Sequence, residues 1–413
     1  MSRYLTAVVE QALWSLLNLG VNLLLIRITA PDQYGAFAFW ANVAFMLASL
    51  QNALTMTHML VLPPGGALSP ERLPIERLMH AITVVFLAGV SLVVLAIALA
   101  MKATGHELGA PAAALFVPAF LLQQYFRTLA FARGRPDTAL YQTAGVLILA
   151  VAFVGAGATL THELSTDHIL LLLGAAYGLV GLGGGRIATK GQGVRLSWAE
   201  LKPFRAYLSQ SGWLFLGVTT TELLTRFYAF AVAGWFGAAA LASLSATQLL
   251  LRPVPLLGGS WSAVARSDLV RRREAGDWNG FARMIVVALV GGLVVAAVWS
   301  GLVSQAWGLI STWLYKGKYA EDGWMVMLWG ASAALGLFQI VISTPMQVLR
   351  AFKSLAIANT IASVFAALAI LGAMRLFGFG GAIAGTVVGQ MIEVSIMAAM
   401  LWVAINRGRN PAR

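Results

Sequence analysis

The stretch LLLIRITAPDQYGAF, residues 23–37, joins two apolar runs through a short turn. Arg27 lies near the end of the first run, Pro31 interrupts it, and Tyr34 and Gly35 open the second. Each run has roughly 20 residues or more, the length that an α-helix needs to cross the hydrocarbon core of a bilayer. The stretch therefore predicts a tight turn between two membrane-spanning helices.

The composition extends this prediction to the whole chain. Of its 413 residues, 59% are hydrophobic and 11% are charged, whereas a soluble domain carries about 25% charged residues. The apolar runs are too long for the alternating strands of a membrane barrel, which have about 10 residues each. The chain has no cysteine, which excludes disulfides, thiolate metal sites and a cysteine nucleophile. We therefore predict an all-α integral membrane protein.

Turn residues divide the chain into twelve predicted spans. They cover residues 5–29, 35–62, 77–101, 110–132, 138–160, 168–188, 205–234, 238–264, 281–303, 323–349, 354–376 and 380–405. Most of the 28 Lys and Arg residues fall on the side that carries both termini. This bias predicts cytoplasmic N- and C-termini. It also accounts for much of the net charge of +12 without any binding of nucleic acid.

A weak internal similarity predicts two halves. FARGRPDTALYQTAG, residues 131–145, aligns without a gap with VLRAFKSLAIANTIA, residues 348–362, and pairs Arg133 with Arg350. With twelve spans, this pattern predicts two six-helix lobes of the same orientation around a central cavity. The predicted domains are an N-terminal lobe (1–188), a cytoplasmic linker (189–204), a C-terminal lobe (205–406) and a basic cytoplasmic tail (407–413).

Polar side chains within the spans are the candidate functional residues, because ionisable groups in a membrane usually face a cavity or a partner. The predicted substrate-binding residues of a cationic cavity are Arg27, Arg127, Arg226 and Arg252. The accessory polar or ion-coupling candidates are Glu222, Glu393, Gln390, Gln123, Gln51 and Asn52. Glu10 is expected to be exposed at the interface. Since arginines outnumber glutamates in the spans and bind phosphate bidentately, the pattern favours a transported anion that bears phosphates.

Each of these charges also has a structural explanation. Glu222 and Arg226 are four residues apart, so they would neutralise each other on one helix face. Arg252 precedes Pro253 and would bond the backbone carbonyls that prolines free when they kink a helix. Arg127 lies close enough to a helix end to snorkel to the interface.

The sequence lacks the motifs of the main competing chemistries. It contains no G-x-x-x-x-G-K-[ST] and no H-E-x-x-H, so a P-loop ATPase and a zincin are excluded. GLVGLGGGR, residues 178–186, ends a predicted span, where small residues permit close helix packing. Glu321-Asp322 is the only acidic cluster in the outer loops that would suit a membrane glycosyltransferase or polymerase. We expect a transporter rather than an enzyme, with no metal and no cofactor.

NLLLIRITAPDQYGAFAF, residues 22–39, resembles the N-terminal signature of Wzx-like polysaccharide-repeat flippases of the multidrug/oligosaccharidyl-lipid/polysaccharide (MOP) exporter superfamily. ARGRPDTALYQT, residues 132–143, resembles that family's basic turn between helices 4 and 5. The resemblance implies alternating access and a substrate of undecaprenyl-diphosphate-linked oligosaccharide. That substrate would move from the cytoplasmic to the outer leaflet of the bacterial inner membrane for exopolysaccharide synthesis. Arg27 matches the arginine that ends helix 1 in the family, and Arg226 and Arg252 lie in helices expected to line the second lobe.

The resemblance also sets the expected partners and the alternatives. The partners are the lipid-linked saccharide, membrane lipid, and a polymerase and co-polymerase of the same pathway. H⁺ or Na⁺ is the expected coupling ion, and Glu393 is a proton site, a partner for an arginine, or a protonated acid. The alternative functions are a MATE-like multidrug/ion antiporter of the same fold and a membrane glycosyltransferase or polymerase. The antiporter would require an acidic cavity to bind cationic drugs.

Overall fold

The computed structural model describes residues 3–60, 69–160, 164–192 and 196–409, and no β-strand occurs in these ranges. Long helices make up most of these ranges. They are α1 Arg3–Ile28, α2 Pro31–Gln51, α3 Leu73–Ala103, α4 Ala113–Ala132, α5 Pro136–Leu160, α6 Thr166–Ala188, α7 Leu208–Phe236, α8 Ala238–Leu249, α9 Pro253–Glu274, α10 Trp278–Gln305, α11 Trp324–Val348, α12 Phe352–Phe377 and α13 Gly381–Arg409. A π-helical turn, Asn52–Met56, and the short helix Thr57–Leu60 continue α2.

Every predicted span contains a long helix, which confirms the all-α membrane fold class. In the described part of the chain, eight helical stretches are long and apolar enough to cross a membrane, or nine if a bent pair counts as one span. The bent pair is α8 and α9, which divide the predicted span 238–264 at a bend of 51°. The longest stretch, Lys353–Gly408, contains both α12 and α13. The two long helices outside this set, α4 and α7, carry Arg127 and Arg226.

The turn at residues 23–37 has the predicted form. The Thr29 side-chain hydroxyl donates to the carbonyl of Leu25 at 2.8 Å where α1 ends, and Pro31 takes the first position of α2. The Tyr34 hydroxyl donates to the side-chain oxygen of Asn22 at 2.9 Å, so the two helices are joined beside their turn. Gly35 lies so close to the start of α8 that a Cβ atom would stand 1.7 Å from a backbone carbonyl oxygen. Only glycine permits that approach.

The chain divides into two compact units. Unit 1 comprises Met1–Thr219 and Gly237–Ala242, and unit 2 comprises Thr220–Phe236 and Ser243–Arg413. Unit 1 therefore holds α1 to α6 with the first residues of α7 and α8. Unit 2 holds the remainder of α7 and α8 with α9 to α13.

In unit 1, α4 is the central helix and packs against α2, α3, α5 and α6. The rings of Phe116 and Phe120 on α4 both contact Tyr177 of α6, with centroid separations of 6.1 and 5.2 Å. Gly181 brings the α6 backbone onto α4, because a Cβ atom there would lie 3.1 Å from the backbone nitrogen of Gln123. The small residues of 178–186 thus permit the close packing that the sequence predicts.

In unit 2, α11 packs against α9, α10 and α13, and α12 packs along α13. Leu224 of α7 joins the small residues Ala362 and Ala366 of α12 in a buried cluster. The rings of Tyr228 and Trp329 connect α7 to α11 with an edge-to-face contact of 5.0 Å. These contacts place the polar residues of α7, α11, α12 and α13 within one bundle.

The turns after α4 and α11 are alike, but in a register that differs from the gapless alignment. Gly134 and Arg350 both have a left-handed backbone, with φ of 71° and 58°. Their amides donate to the carbonyls of Phe131 and Gln347, each at 2.9 Å and three residues back. Gly134 therefore corresponds to Arg350, and the predicted pairing of Arg133 with Arg350 is wrong by one residue. A helix end is fixed by its left-handed residue, which a sequence alignment does not identify.

Candidate functional site

A polar face runs along α1 in unit 1. Glu10, Trp14, Asn18 and Asn22 follow one another at intervals of four, so they lie on one side of the helix. The Asn18 amide donates to the Trp14 carbonyl at 2.8 Å, and the Asn22 amide donates to the Asn18 carbonyl at 2.7 Å. Asn18 and Asn22 are absent from the predicted site residues. Their spacing of four from Glu10 is the sequence signal that identifies this face.

Glu10 and Arg127 form a buried ion pair between α1 and α4. Arg127 Nε donates to Glu10 Oε1 at 2.6 Å, and Arg127 Nη2 donates to Glu10 Oε2 at 2.8 Å. The hydroxyl of Thr143 on α5 donates to Glu10 Oε1 at 2.6 Å. The Glu10 side chain is fully buried, so the expectation that it is exposed at the interface is wrong. Its carboxylate needs the cation that α4 supplies, because an unpaired buried charge is costly.

The Arg127 guanidinium is enclosed by further groups on α1 and α4. It lies 4.7 Å from the ring centre of Trp14 and 5.6 Å from that of Phe131, at cation–π distance. Its Nη1 is 3.5 Å from Gln124 Oε1, and the Gln124 amide donates to Gln123 Oε1 at 2.8 Å. The charge of Arg127 is therefore neutralised inside unit 1. Roles of Arg127 and Gln123 in substrate binding stay predictions.

Glu222 and Arg226 form a second ion pair, within α7 of unit 2. Arg226 Nε donates to Glu222 Oε2 at 2.5 Å, the contact that their spacing of four predicts. Both side chains are partly shielded, with exposed fractions of 11% for Glu222 and 26% for Arg226. Arg226, like Arg127, has a carboxylate partner within its own unit, so the pair contributes little net charge.

Arg252 lies at the bend between α8 and α9. It precedes Pro253, which occupies the first position of α9 and has no amide hydrogen to continue the ladder of α8. At the same break, the carbonyl of Leu250 accepts from the indole nitrogen of Trp299 on α10 at 2.8 Å. The prolines thus break the helix as predicted, and a tryptophan rather than the arginine bonds this carbonyl.

The Arg252 guanidinium is exposed and is positioned by an amide rather than an acid. Its Nη2 lies 3.5 Å from Gln248 Oε1, and that oxygen also accepts from the Tyr228 hydroxyl at 3.1 Å. Tyr228 follows Arg226 by two residues on α7, so its hydroxyl links Gln248 to the helix that carries Arg226. Among the described residues, no carboxylate lies within ion-pair distance of Arg252. Its positive charge is uncompensated.

Glu393 is a buried carboxyl on α13 without a cation in the described part of unit 2. Its exposed fraction is 1%. Gln339 of α11 donates to Glu393 Oε1 at 2.9 Å. The amide orientation that satisfies both ends of Asn359 on α12 places its nitrogen 3.0 Å from the same oxygen. Gln390 lies three residues earlier, and its Oε1 is buried without a hydrogen-bond partner among the described residues.

The corrected register of the repeat relates residues that surround the two buried acids. Counting back from Gly134 and Arg350, Gln339 takes the position of Gln123, Asn359 that of Thr143 and Ser343 that of Arg127. In each half, therefore, the helix after the repeated turn gives a hydrogen bond to a buried carboxylate. The second half has serine where the first has its arginine. The two acids themselves lie on helices that the repeat does not pair, since Glu10 is on the first long helix of the chain and Glu393 on the last described one.

The other predicted residues lie elsewhere in unit 1. Arg27 is exposed in the last turn of α1. Gln51 is buried, and its Nε2 has no partner among the described residues. Asn52 is exposed and begins the π-helical turn. Within the described ranges, no three His, Cys, Asp or Glu residues are arranged to hold a metal ion.

A buried charge cluster that the sequence does not predict lies at the start of α3. Arg72 Nε lies 3.0 Å from Glu76 Oε1, and Arg133 Nη2 lies 2.6 Å from Glu76 Oε2. The Gln192 amide, after α6, donates to Glu76 Oε2 at 2.8 Å. Arg72 and Arg133 carry the positive-inside signal. Through Glu76 the same cluster also joins the start of α3 to the ends of α4 and α6. The signal that would reveal the cluster is an isolated Glu76 among the arginines of a predicted turn.

No protein-family model matches the sequence, and no curated protein sequence matches it. Solved structures do match, along the whole chain. A multidrug resistance MATE family transporter of the MOP superfamily, in an inward-facing conformation, is similar with a TM-score of 0.71 and 12% identity, covering 98% of this chain and 100% of that one. The lipid II flippase MurJ, in an inward closed conformation, is similar with a TM-score of 0.71 and 14% identity, covering 98% and 89%.

A MOP superfamily transporter from Pyrococcus furiosus is also similar, with a TM-score of 0.64 and 14% identity over 99% of this chain and 95% of that one. That protein is described as having a binding pocket of reverse polarity, which suggests a different function for it. Together the matches show that this chain has the fold of the MOP superfamily transporters. They confirm a multi-pass membrane protein of about twelve helical spans.

Proposed function

We propose that this protein is a flippase that moves a lipid-linked saccharide across a membrane, with an undecaprenyl-diphosphate-linked oligosaccharide as its substrate. Two lines support the proposal. The fold is that of transporters that include the lipid II flippase MurJ. Arg252 has no carboxylate partner among the described residues, and an arginine of this kind suits a phosphate-bearing substrate.

The observation that carries the proposal is the uncompensated charge of Arg252. Of the four predicted cavity arginines, Arg127 and Arg226 are each paired with a glutamate of their own unit. Arg252 is exposed at a break between two helices and has an amide neighbour instead. A guanidinium offers a planar fork that matches phosphate oxygens, so an exposed and unpaired one is suited to bind a diphosphate.

Several further features belong to the same proposal. Two six-helix lobes would alternate in opening a central cavity to either side of the bacterial inner membrane, with both termini in the cytoplasm. H⁺ or Na⁺ would drive the cycle, and Glu393 is the proposed coupling residue because its charge is not fixed by a cation. The polymerase and co-polymerase of a polysaccharide pathway are the proposed partners.

The role of Arg252 is tested by substitution. In proteoliposomes loaded with a polyprenyl-diphosphate oligosaccharide, we expect Arg252→Ala to lower the translocation rate by at least about tenfold and Arg252→Lys to retain part of it, since lysine keeps the charge and loses the fork. Arg266→Ala is the matched control, because Arg266 also bonds a glutamine, Gln347, at 3.0 Å. Full activity of Arg252→Ala at normal yield would contradict the proposal.

The substrate class is tested by mass spectrometry of the lipids that co-purify with the protein. A polyprenyl-diphosphate oligosaccharide enriched over its share of the membrane extract is the expected result. Loss of that enrichment in Arg252→Ala, but not in Arg266→Ala, would tie the lipid to the proposed site. If hydrophobic cations co-purify with the protein and no such lipid does, the proposal would be overturned in favour of the second candidate.

The second candidate is a MATE-like multidrug antiporter, and Glu393 is the observation that favours it. A buried acid held by two amides has no cation to fix its charge, so it can exchange a proton for a cationic drug. Drug efflux coupled to H⁺ and lost in Glu393→Gln would support this function. The absence of drug transport together with saccharide translocation would exclude it.

A further inference from the structure

The segment between α6 and α7 has two faces of different character. A short helix, Trp198–Leu201, runs directly into a 3₁₀ turn, Lys202–Ala206. Ser197 begins the helix, and its hydroxyl accepts from the amide of Glu200 at 3.4 Å. We refer to residues 196–207 as the linker segment. Because the segment is helical throughout its middle, residues three or four apart share a face.

The inner face of the linker segment is held by unit 1. Phe204 and Tyr207 pack against a buried cluster of Met56, Met59, Leu78, Met79, Tyr125, Phe126, Leu129 and Ala132. The ring of Tyr207 also meets that of His58, with centroids 4.9 Å apart. The cluster belongs to the end of α2, the start of α3 and the end of α4. The linker segment is therefore fixed where three membrane helices end.

The outer face combines an exposed indole with two cations. Trp198, Lys202 and Arg205 follow at intervals of four and three and are all exposed, Trp198 by 80%. Leu196, just before the helix, is 59% exposed. Neither Lys202 nor Arg205 has a carboxylate within ion-pair distance in the part of the chain that the structure describes. An exposed tryptophan beside unpaired cations is unfavourable in water and typical of the membrane interface.

We infer that the linker segment is a binding surface for anionic lipid headgroups. Trp198 and Leu196 enter the boundary between headgroups and acyl chains, while Lys202 and Arg205 pair with lipid phosphates. The position of the segment at the ends of three spanning helices puts this face at the level of the headgroups. Its charge selects anionic lipid, since each basic residue near such a surface strengthens binding roughly fivefold. With two cations, the contact is reversible and sensitive to lipid composition.

The test uses the natural absence of cysteine from the chain. Trp198→Cys creates a single site for a nitroxide label in the full protein, and the apolar ring of the label takes the place of the indole. The substitution removes no buried contact because Trp198 is exposed. Ala275→Cys, in the exposed turn between α9 and α10, is the matched control. Each labelled protein is reconstituted in vesicles of phosphatidylcholine with or without phosphatidylglycerol. The accessibility of the label to oxygen and to a water-soluble nickel chelate is then measured by EPR.

In the anionic vesicles, we expect the label at position 198 to be more accessible to oxygen than to nickel and the label at 275 to show the reverse. Lys202→Gln with Arg205→Gln should shift position 198 towards the values of the control. A water-like label at 198 in anionic vesicles would overturn the inference, as would equal values in both lipids. Dipolar broadening between labels would overturn it too, because a second copy would then cover this face. The measurement needs no transport, so it is independent of the proposed function.

Discussion

Replacing Glu10 by glutamine removes the charge of the carboxylate that holds Arg127. The carboxylate is fully buried and receives two bonds from the guanidinium, at 2.6 and 2.8 Å. Glutamine has almost the same shape and can still accept from Thr143, so the substitution isolates the loss of charge. What remains is a guanidinium that is 12% exposed and has no other carboxylate among the described residues within ion-pair distance.

The size of the effect follows from that burial. Removing one partner of a buried ion pair typically costs about 3–5 kcal/mol, because the other charge is left uncompensated. The rings and the glutamine amide around Arg127 offset part of this cost, so we expect the lower end, about 3 kcal/mol. For a unit of this size, that corresponds to a fall in Tm of roughly 6–12 °C.

The assay is thermal unfolding of the purified protein in nanodiscs, followed by intrinsic tryptophan fluorescence. Glu222→Gln is the matched control, since the Glu222–Arg226 pair is more exposed and should contribute less than about 1 kcal/mol. Adding Arg127→Gln to Glu10→Gln should recover part of the lost stability, because it removes the buried guanidinium charge that Glu10→Gln leaves uncompensated. If Glu10→Gln shifts Tm no more than the control does, the pair is not the buried, coupled unit described here.

Three further outcomes are expected from the structure. Glu76→Gln should abolish a monodisperse peak in size-exclusion chromatography, because it leaves two guanidiniums against one neutral amide where three helices end. Gly181→Val should lower Tm since its Cβ would lie 3.1 Å from the backbone of α4, whereas Gly183→Ala, with nothing within 4 Å, should leave Tm unchanged. The backbone amide of Gly280 holds the pKa of Asp277 below its ordinary value. The stability that Asp277 provides is therefore present at neutral pH and lost as pH falls through that lowered pKa, and Asp277→Asn should remove this acid dependence of Tm.

The helical architecture was predictable because it depends on local properties of the chain. A run of apolar residues long enough to cross a bilayer has one stable conformation there, so run lengths alone place the helices. The bend within 238–264 was predictable for the same reason, since Pro253 and Pro255 remove backbone donors wherever they occur. The register of the internal repeat was not, because it depends on which residue adopts the left-handed turn.

The pairing of the charges could be predicted only where the partners are close in sequence. Glu222 and Arg226 lie on one helix, and their spacing specifies the contact. Glu10 meets Arg127 from a different helix, and nothing in the local pattern of either helix identifies the other. The same holds for Glu76, whose arginine neighbours also fit a topology signal. Burial, which decides whether a charge needs a partner, is a property of the assembled bundle.

The break at Arg252 has a consequence for how an anion would be held. It ends one helix and starts another, and the N-terminus of α9 carries a partial positive charge of about half a unit from its aligned peptide dipoles. That end is poor in hydrogen-bond donors, since Pro253 and Pro255 remove two of the first four amide hydrogens. The helix dipole would therefore attract a bound phosphate, but few backbone amides could donate hydrogen bonds to it. The directional hydrogen bonds to the phosphate would then come from the guanidinium of Arg252, and the amides removed by the two prolines could not substitute for it.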